Sequence, residues 1–198
     1  MRSFDIPSKI AAIGKQVYDR RLTDIAGGNI SVRDGDYIYI TPTGAGQKFL
    51  WELDPSQILC APVATDELIK LPDCSKESIS HLMVYRAFPE VSAIIHSHPF
   101  YLMAFCAVGK APVPQTLAAE VYGEMGVIGD APLYSAEQGE LIISALAQKQ
   151  ALMANRAAAV LMPKHGIFVA GKNLNTTLDC LERMDNSAYC NLMTRLLG

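Results

Sequence analysis

Two short, wholly apolar runs, Ala159-Val160-Leu161-Met162 and Ile167-Phe168-Val169-Ala170, stand on either side of Pro163-Lys164-His165-Gly166. Runs of this length between Pro and Gly read as extended segments, which places His165 in a loop or at a strand edge, where a side chain can project into a cleft. Helical patterns fall between this strand pair and others. Pro7-Ser8 precedes Ile10, Ile13, Val17 and Tyr18 at helical spacing, predicting an amphipathic helix that ends near Arg21. Ile30 and Val32 lead into Asp34-Gly35, a hairpin turn pair followed by Tyr37-Ile38-Tyr39-Ile40. Ser75 can cap a helix running to about Phe88, and the mostly apolar residues 91–98 then form a strand that delivers His96-Ser97-His98-Pro99 at its end. Ser135 and Gln138 form a capping box ahead of a helix extending toward Asn155, and Asn175 opens a long helix with Leu178, Leu181 and Met184. Strand hairpins alternating with helices predict an α/β sandwich rather than a bundle. No repeat, low-complexity tract or linker divides the chain, so residues 1–198 are expected to form one domain.

Half the residues are apolar and 19% are charged, which excludes a disordered chain and suggests surface buried against sister subunits. With a formal charge of −3 and no Lys/Arg cluster, the chain has no electrostatic footprint for nucleic acid or an anionic membrane, and a small-molecule partner is expected. The five cysteines are widely separated, with no C-x-x-C pair, and read as reduced thiols. The N-terminal residues have no uninterrupted apolar stretch and no run approaches the roughly 18 residues needed to span a bilayer, so a cytoplasmic protein is expected.

The chemistry concentrates on histidine. A strand repeats every two residues, so His96 and His98 point to one face and can reach one ion. Neutral imidazole suits zinc, whose catalytic sites typically use about three protein ligands and keep an open position; His165 can be the third. Glu77, early on a helix that can pack against the histidine-bearing strand, can approach as a fourth. A lone histidine is more often a hydrogen-bonded structural group, and His81, one turn beyond Glu77, is read that way. The His-Ser-His-Pro run also resembles the core of the JAMM metallopeptidases. Their pattern continues with Ser and Asp where this chain has Ala107 and Lys110, so the aspartate ligand is missing.

Four separated segments carry a broader likeness: Gly27-Gly28-Asn29-Ile30-Ser31, Thr41-Pro42-Thr43-Gly44, Ser75-Lys76-Glu77 leading to His81, and His96-Ser97-His98 with Lys164-His165-Gly166. In their order and spacing the chain resembles the class II aldolase and adducin-like family. The resemblance implies an α/β/α sandwich with a central, mainly antiparallel sheet, and one zinc or other divalent metal per subunit on His96, His98 and His165. It makes Glu77 a further ligand or a proton carrier. It implies cyclic homotetramers with sites between subunits, and a substrate phosphate held by Gly28, Asn29, Thr43, Gly44 and Ser75; glycine-exposed N–H groups with hydroxyl and amide donors do make an anion cradle. Residues 116–123, where the family places a variable acid/base loop, offer Glu120 and Tyr122.

Two departures shape the expected reaction. Lys76 stands where many family aldolases have a second serine, adding positive charge that can strengthen phosphate binding or meet a substrate carboxylate, as in members proposed to decarboxylate 3-oxo sugar-acid phosphates. The chain ends at Leu196-Leu197-Gly198, so the C-terminal tail that supplies a catalytic tyrosine in fuculose-phosphate aldolases is expected to be absent. The expected activity is a zinc-dependent carbon–carbon lyase, an aldolase for a small phosphorylated keto-sugar acting through an enediolate. Decarboxylation of a 3-oxo sugar-acid phosphate and sugar-phosphate 4-epimerisation are the alternatives, and an adducin-like interaction module is the non-enzymatic one.

Overall fold

A computed structural model describes residues 6–197. The readings of residues 1–5 and of Gly198 lie outside these residues. The chain opens with α1 (Ile6–Asp19) and the hairpin β1 (Asn29–Asp34) and β2 (Tyr37–Ile40), followed by α2 (Ala45–Phe49) and β3 (Leu59–Pro62). Next come α3 (Ser78–Ala87), β4 (Ala93–Ser97), α4 (Leu102–Val108), α5 (Leu117–Glu120) and β5 (Gly126–Val127). The chain closes with α6 (Ala136–Ala147), α7 (Gln150–Asn155), the hairpin β6 (Ala157–Met162) and β7 (Gly166–Gly171), and α8 (Leu174–Leu197).

The strands form one sheet in the order β3-β2-β1-β4-β7-β6-β5, antiparallel at every pairing except β5 with β6. Alternation along the central strands sorts side chains into two cores. Ile95, Ile167 and Val169 join Ile10 and Val17 of α1 and Leu181 and Met184 of α8. Ile94, Phe168 and Ala170 join Leu82 and Tyr85 of α3 and Ile142 and Leu146 of α6. Both faces are covered, which is why β4, β6 and β7 are buried at every residue. This is the α/β sandwich with a mainly antiparallel sheet that the sequence predicts.

Local boundaries differ where side chains find other partners. The first hairpin turns at Gly35-Asp36, because Asp34 still pairs with Tyr37, and Gly35 takes the left-handed φ of 56°. The third helix starts at Ser78: the Ser75 hydroxyl accepts the Glu77 N–H at 3.3 Å and forms a turn before it. The helix expected to reach Asn155 breaks at Gln148-Lys149, where the Lys149 N–H closes a tight turn on the Leu146 carbonyl. The last helix is capped by Asn173, whose Oδ1 accepts the Thr176 N–H at 3.0 Å; Asn175 lies inside the first turn.

Asp185 of α8 is a buried staple. Its Oδ1 accepts the N–H groups of Tyr101 and Leu102 at 3.0 and 2.9 Å, tying the start of α4 to α8 just beyond the His98 segment. Asp185→Ala strands both donors, and a stability loss of about 1–3 kcal/mol is expected from urea unfolding.

Candidate metal centre

His96 lies near the end of β4, paired laterally with Asn29 of β1 and Phe168 of β7. His98 follows directly after the strand. His165 sits in the β6–β7 turn beside Lys164, whose φ of 59° turns the chain sharply. The three rings converge, with centroids 4.8 Å (His96–His165), 5.3 Å (His96–His98) and 6.0 Å (His98–His165) apart. One ligand nitrogen from each lies within 4.8 Å of the others.

Hydrogen bonds on the far side of two rings decide which nitrogens face inward. His96 Nδ1 donates to the Ile167 carbonyl at 3.0 Å, and His98 Nδ1 lies 3.1 Å from Asp24 Oδ1. In the neutral rings both contacts keep the proton on Nδ1 and leave Nε2 free to hold a cation. His98 Nε2 is buried and makes no hydrogen bond, and His96 Nε2 meets only the Glu77 carboxylate. Buried unpaired nitrogen is costly, and a divalent cation satisfies it, so these residues fit a metal. Gly166 keeps the histidines close: a Cβ there would lie 2.6 Å from the Ser97 carbonyl oxygen and 2.7 Å from His98 Cδ2.

Glu77, immediately before α3, presents Oε1 at 3.1 Å from His96 Nε2 and 2.9 Å from His165 Nε2, while Oε2 accepts from Asn29 Nδ2 at 2.6 Å. Burial opposes ionisation of Glu77, but the positive charge of His96 and the His165 hydrogen bond outweigh it and hold its carboxyl well below the usual range. Burial lowers His96, yet Glu77 prevails and raises it; burial and its neighbour His96 lower His98. Glu77 is therefore a fixed carboxylate at the mouth of the histidine cluster.

The same carboxylate forms one wall of a cleft of about 270 Å³. Gly28, Asn29, Thr43, Gly44, Ser75 and Lys76 all line it, so the residues for which the family resemblance implies anion binding share one cleft. Asn29 has a second task, reaching both Ser75 Oγ (3.2 Å) and Glu77. Residues 8–192 match the family model described as Class II Aldolase and Adducin N-terminal domain. The chain belongs to the class II aldolase and adducin family.

Among its relatives is an L-fuculose phosphate aldolase of Methanococcus maripaludis, 31% identical over 176 residues, covering 88% of this chain and 89% of that protein. A 3-oxo-tetronate 4-phosphate decarboxylase of Pectobacterium atrosepticum is 28% identical over 185 residues, covering 91% and 81%. The fold matches that of the L-fuculose-1-phosphate aldolase from Thermus thermophilus with a TM-score of 0.78 at 24% identity, over 98% of this chain and 95% of that one.

The variable loop of this class II aldolase family member does not bring Glu120 and Tyr122 to the cleft of its own chain. Tyr122 is buried on the α8 side of the sheet and its hydroxyl donates to Asp179, while Glu120 is exposed at the end of α5. Three residues without an advance functional reading contribute: Asp24 holds His98, Tyr134 lines the cleft, and the Gln138 amide lies 3.4 Å from His165 Nδ1. Asp24 and Tyr134 carry no motif; Gln138 was legible only as a helix cap.

His81 lies beneath the cluster without belonging to it. It is fully buried, its Nδ1 is 2.7 Å from Ser31 Oγ, and its ring meets Phe168 edge-on. Burial lowers it to about 3, so it folds neutral. Such a group contributes stability that is full above its unfolded pKa of about 6.5 and is lost as pH falls toward 3. The urea-measured stability of the parent is expected to fall between pH 6.5 and 5 by about 2 kcal/mol more than that of His81→Asn.

Proposed function

We propose that this protein is a divalent-cation-dependent carbon–carbon lyase, an aldolase using zinc, that acts on a small phosphorylated keto-sugar. The observation that carries the reading is Glu77, which touches two of three clustered histidines and also walls the cleft lined by Gly28, Asn29, Thr43, Gly44 and Ser75. His96, His98 and His165 would hold the cation. A cation there supplies Lewis acidity that withdraws charge from a substrate carbonyl, the assistance that aldol cleavage, epimerisation and decarboxylation all need.

The protein's own groups do the rest. Backbone N–H groups at the glycines and Asn29, with the Thr43 and Ser75 hydroxyls, bind the phosphate, and Lys76 adds a positive charge at its edge. That anchor brings the carbons next to the carbonyl toward Glu77. Glu77, kept ionised and oriented by Asn29, accepts a proton from the substrate and returns it after the bond has broken. Neither Glu120 nor Tyr122 takes part within one chain; Tyr122 is held in the core by Asp179, and Glu120 serves as an acid/base group only across a subunit boundary. The apolar exposure of Val113 and Leu117 on the same segment supports such a boundary, in the cyclic homotetramer of a cytoplasmic enzyme. Among the described residues no helix is long and apolar enough to cross a membrane.

A second reading, decarboxylation of a 3-oxo sugar-acid phosphate, is favoured by Lys76 in the cleft and by the tetronate-phosphate decarboxylases among the relatives. A 4-epimerase would use the same centre. A non-catalytic adducin-like module has no use for a complete Glu77, His96, His98, His165 set. Incubating the cation-loaded protein with ketose phosphates and 3-oxo sugar-acid phosphates separates the readings. Aldehyde release supports the aldolase, carbon dioxide release replaces it with the decarboxylase, and inversion at C4 replaces it with the epimerase. Turnover of no phosphorylated substrate, with no cation bound, favours the module.

A further inference from the structure

Gln138 is the third residue of α6 and closes its capping box, yet its side chain does not do what that motif requires. Ser135 Oγ accepts the Gln138 N–H at 3.1 Å, as a cap should, but the return bond to the Ser135 N–H is not made; that group donates to the Pro132 carbonyl. The amide instead reaches into the metal centre. Its Nε2 lies 3.4 Å from His165 Nδ1, and its Oε1 accepts the Tyr134 N–H at 3.2 Å. Gln138 is only 4% exposed, and the next residue, Gly139, lies so near Met83 that a Cβ there would come within 2.5 Å of its sulfur. The amide is therefore clamped beside His165 by the packing of α6 on α3.

Each clustered histidine thus has a partner at Nδ1: the Ile167 carbonyl for His96, the Asp24 carboxylate for His98, and Gln138 for His165. The first two are fixed acceptors. The third is an amide, which offers either a donor or an acceptor according to which way it is turned. Tyr134, its other partner, has a left-handed backbone (φ 64°), lines the anion cleft, and lies between the His165 ring (6.4 Å) and Lys76 Nζ (5.9 Å).

We propose that Gln138 is a positioning residue that sets the orientation and tautomer of His165 and links it to Tyr134 on the cleft wall. When His165 Nε2 faces a cation, Nδ1 carries the proton and needs an acceptor. A half-turn of the Gln138 amide supplies its oxygen to that proton and withdraws it from the Tyr134 N–H. The α6 cap does not need the glutamine side chain, since Ser135 Oγ already accepts the Gln138 N–H.

The inference rests on the three-histidine centre proposed above, and one experiment distinguishes the two. Chelator-stripped parent, Gln138→Met and Gln138→Glu are titrated with Zn²⁺ against a chromophoric chelator, and with Co²⁺ to record the visible spectrum. Helix content and urea midpoint are measured alongside. The parent is expected to bind one cation. Gln138→Met should bind about ten- to a hundredfold more weakly with an altered Co²⁺ spectrum, the usual cost of losing a hydrogen bond behind a ligand. Gln138→Glu offers two acceptor oxygens, enough for His165 Nδ1–H and the Tyr134 N–H together, and should bind at least as tightly as the parent. Equal binding by Gln138→Met and parent, within twofold, overturns the role of Gln138 and leaves the centre intact. Failure of the parent to bind overturns both. Equal weakening in both variants, with lowered urea midpoints, assigns Gln138 to packing and also overturns the proposal.

Discussion

His96→Ala is expected to leave purified protein without stoichiometric cation and to lower kcat/KM by a thousandfold or more. His96 is the most deeply set of the three histidines, only 1% exposed, with Nδ1 committed to the Ile167 carbonyl and Nε2 facing the cluster. No neighbouring side chain can replace it, because its strand position is fixed by pairing to β1 and β7. Lewis-acid assistance is worth several kcal/mol, which corresponds to roughly a thousandfold or more in rate. Metal analysis and steady-state kinetics, with circular dichroism as the check on folding, read this out. Full metal content with full activity would contradict it.

The second large effect is expected at Glu77. Glu77→Gln keeps the shape and an acceptor for Asn29 Nδ2 but removes the charge and the ability to carry a proton. A loss in kcat of about 10²–10⁴ is expected, as for other positioned acid/base groups, with a much smaller change in the KM of a phosphorylated substrate because the anion cleft is intact. A loss confined to KM would assign Glu77 to substrate binding. The variant also alters acid stability of cation-free protein. A carboxylate held below its usual range contributes stability that is present above its unfolded pKa and is lost as pH falls, so Glu77→Gln should unfold over a flatter acid profile.

The pattern of strands and helices was legible because period-two and period-3.6 apolar spacing survives in residues whose two faces meet different cores. Ile94 and Ile95 are the clearest pair, adjacent in sequence and buried in opposite layers. What escaped was short or borrowed. β3, β5, α4 and α5 have few residues each, too few for a period to show. In the site, the histidines and Glu77 stood out by residue type and spacing, and the glycine, hydroxyl and amide set of the cleft by its likeness to a family. Asp24 could not, because an aspartate in a loop gains its meaning only when the chain folds it against His98, which lies 74 residues away. Gln138 shows in the sequence only as a helix cap, because its contact with His165 forms only in the fold. Tyr122 illustrates the reverse case: a residue in the expected loop whose ring is taken by the core and whose hydroxyl is taken by Asp179.

One titration tests whether a cation on His96, His98 and His165 enables bond cleavage in a phosphorylated substrate. Protein stripped by a chelator is assayed for aldehyde and carbon dioxide release while Zn²⁺ is added back in substoichiometric steps. Activity should be absent at the start, rise linearly, and reach a plateau at one equivalent per chain. Undiminished turnover by the stripped protein, or a plateau at no defined stoichiometry, would contradict the claim.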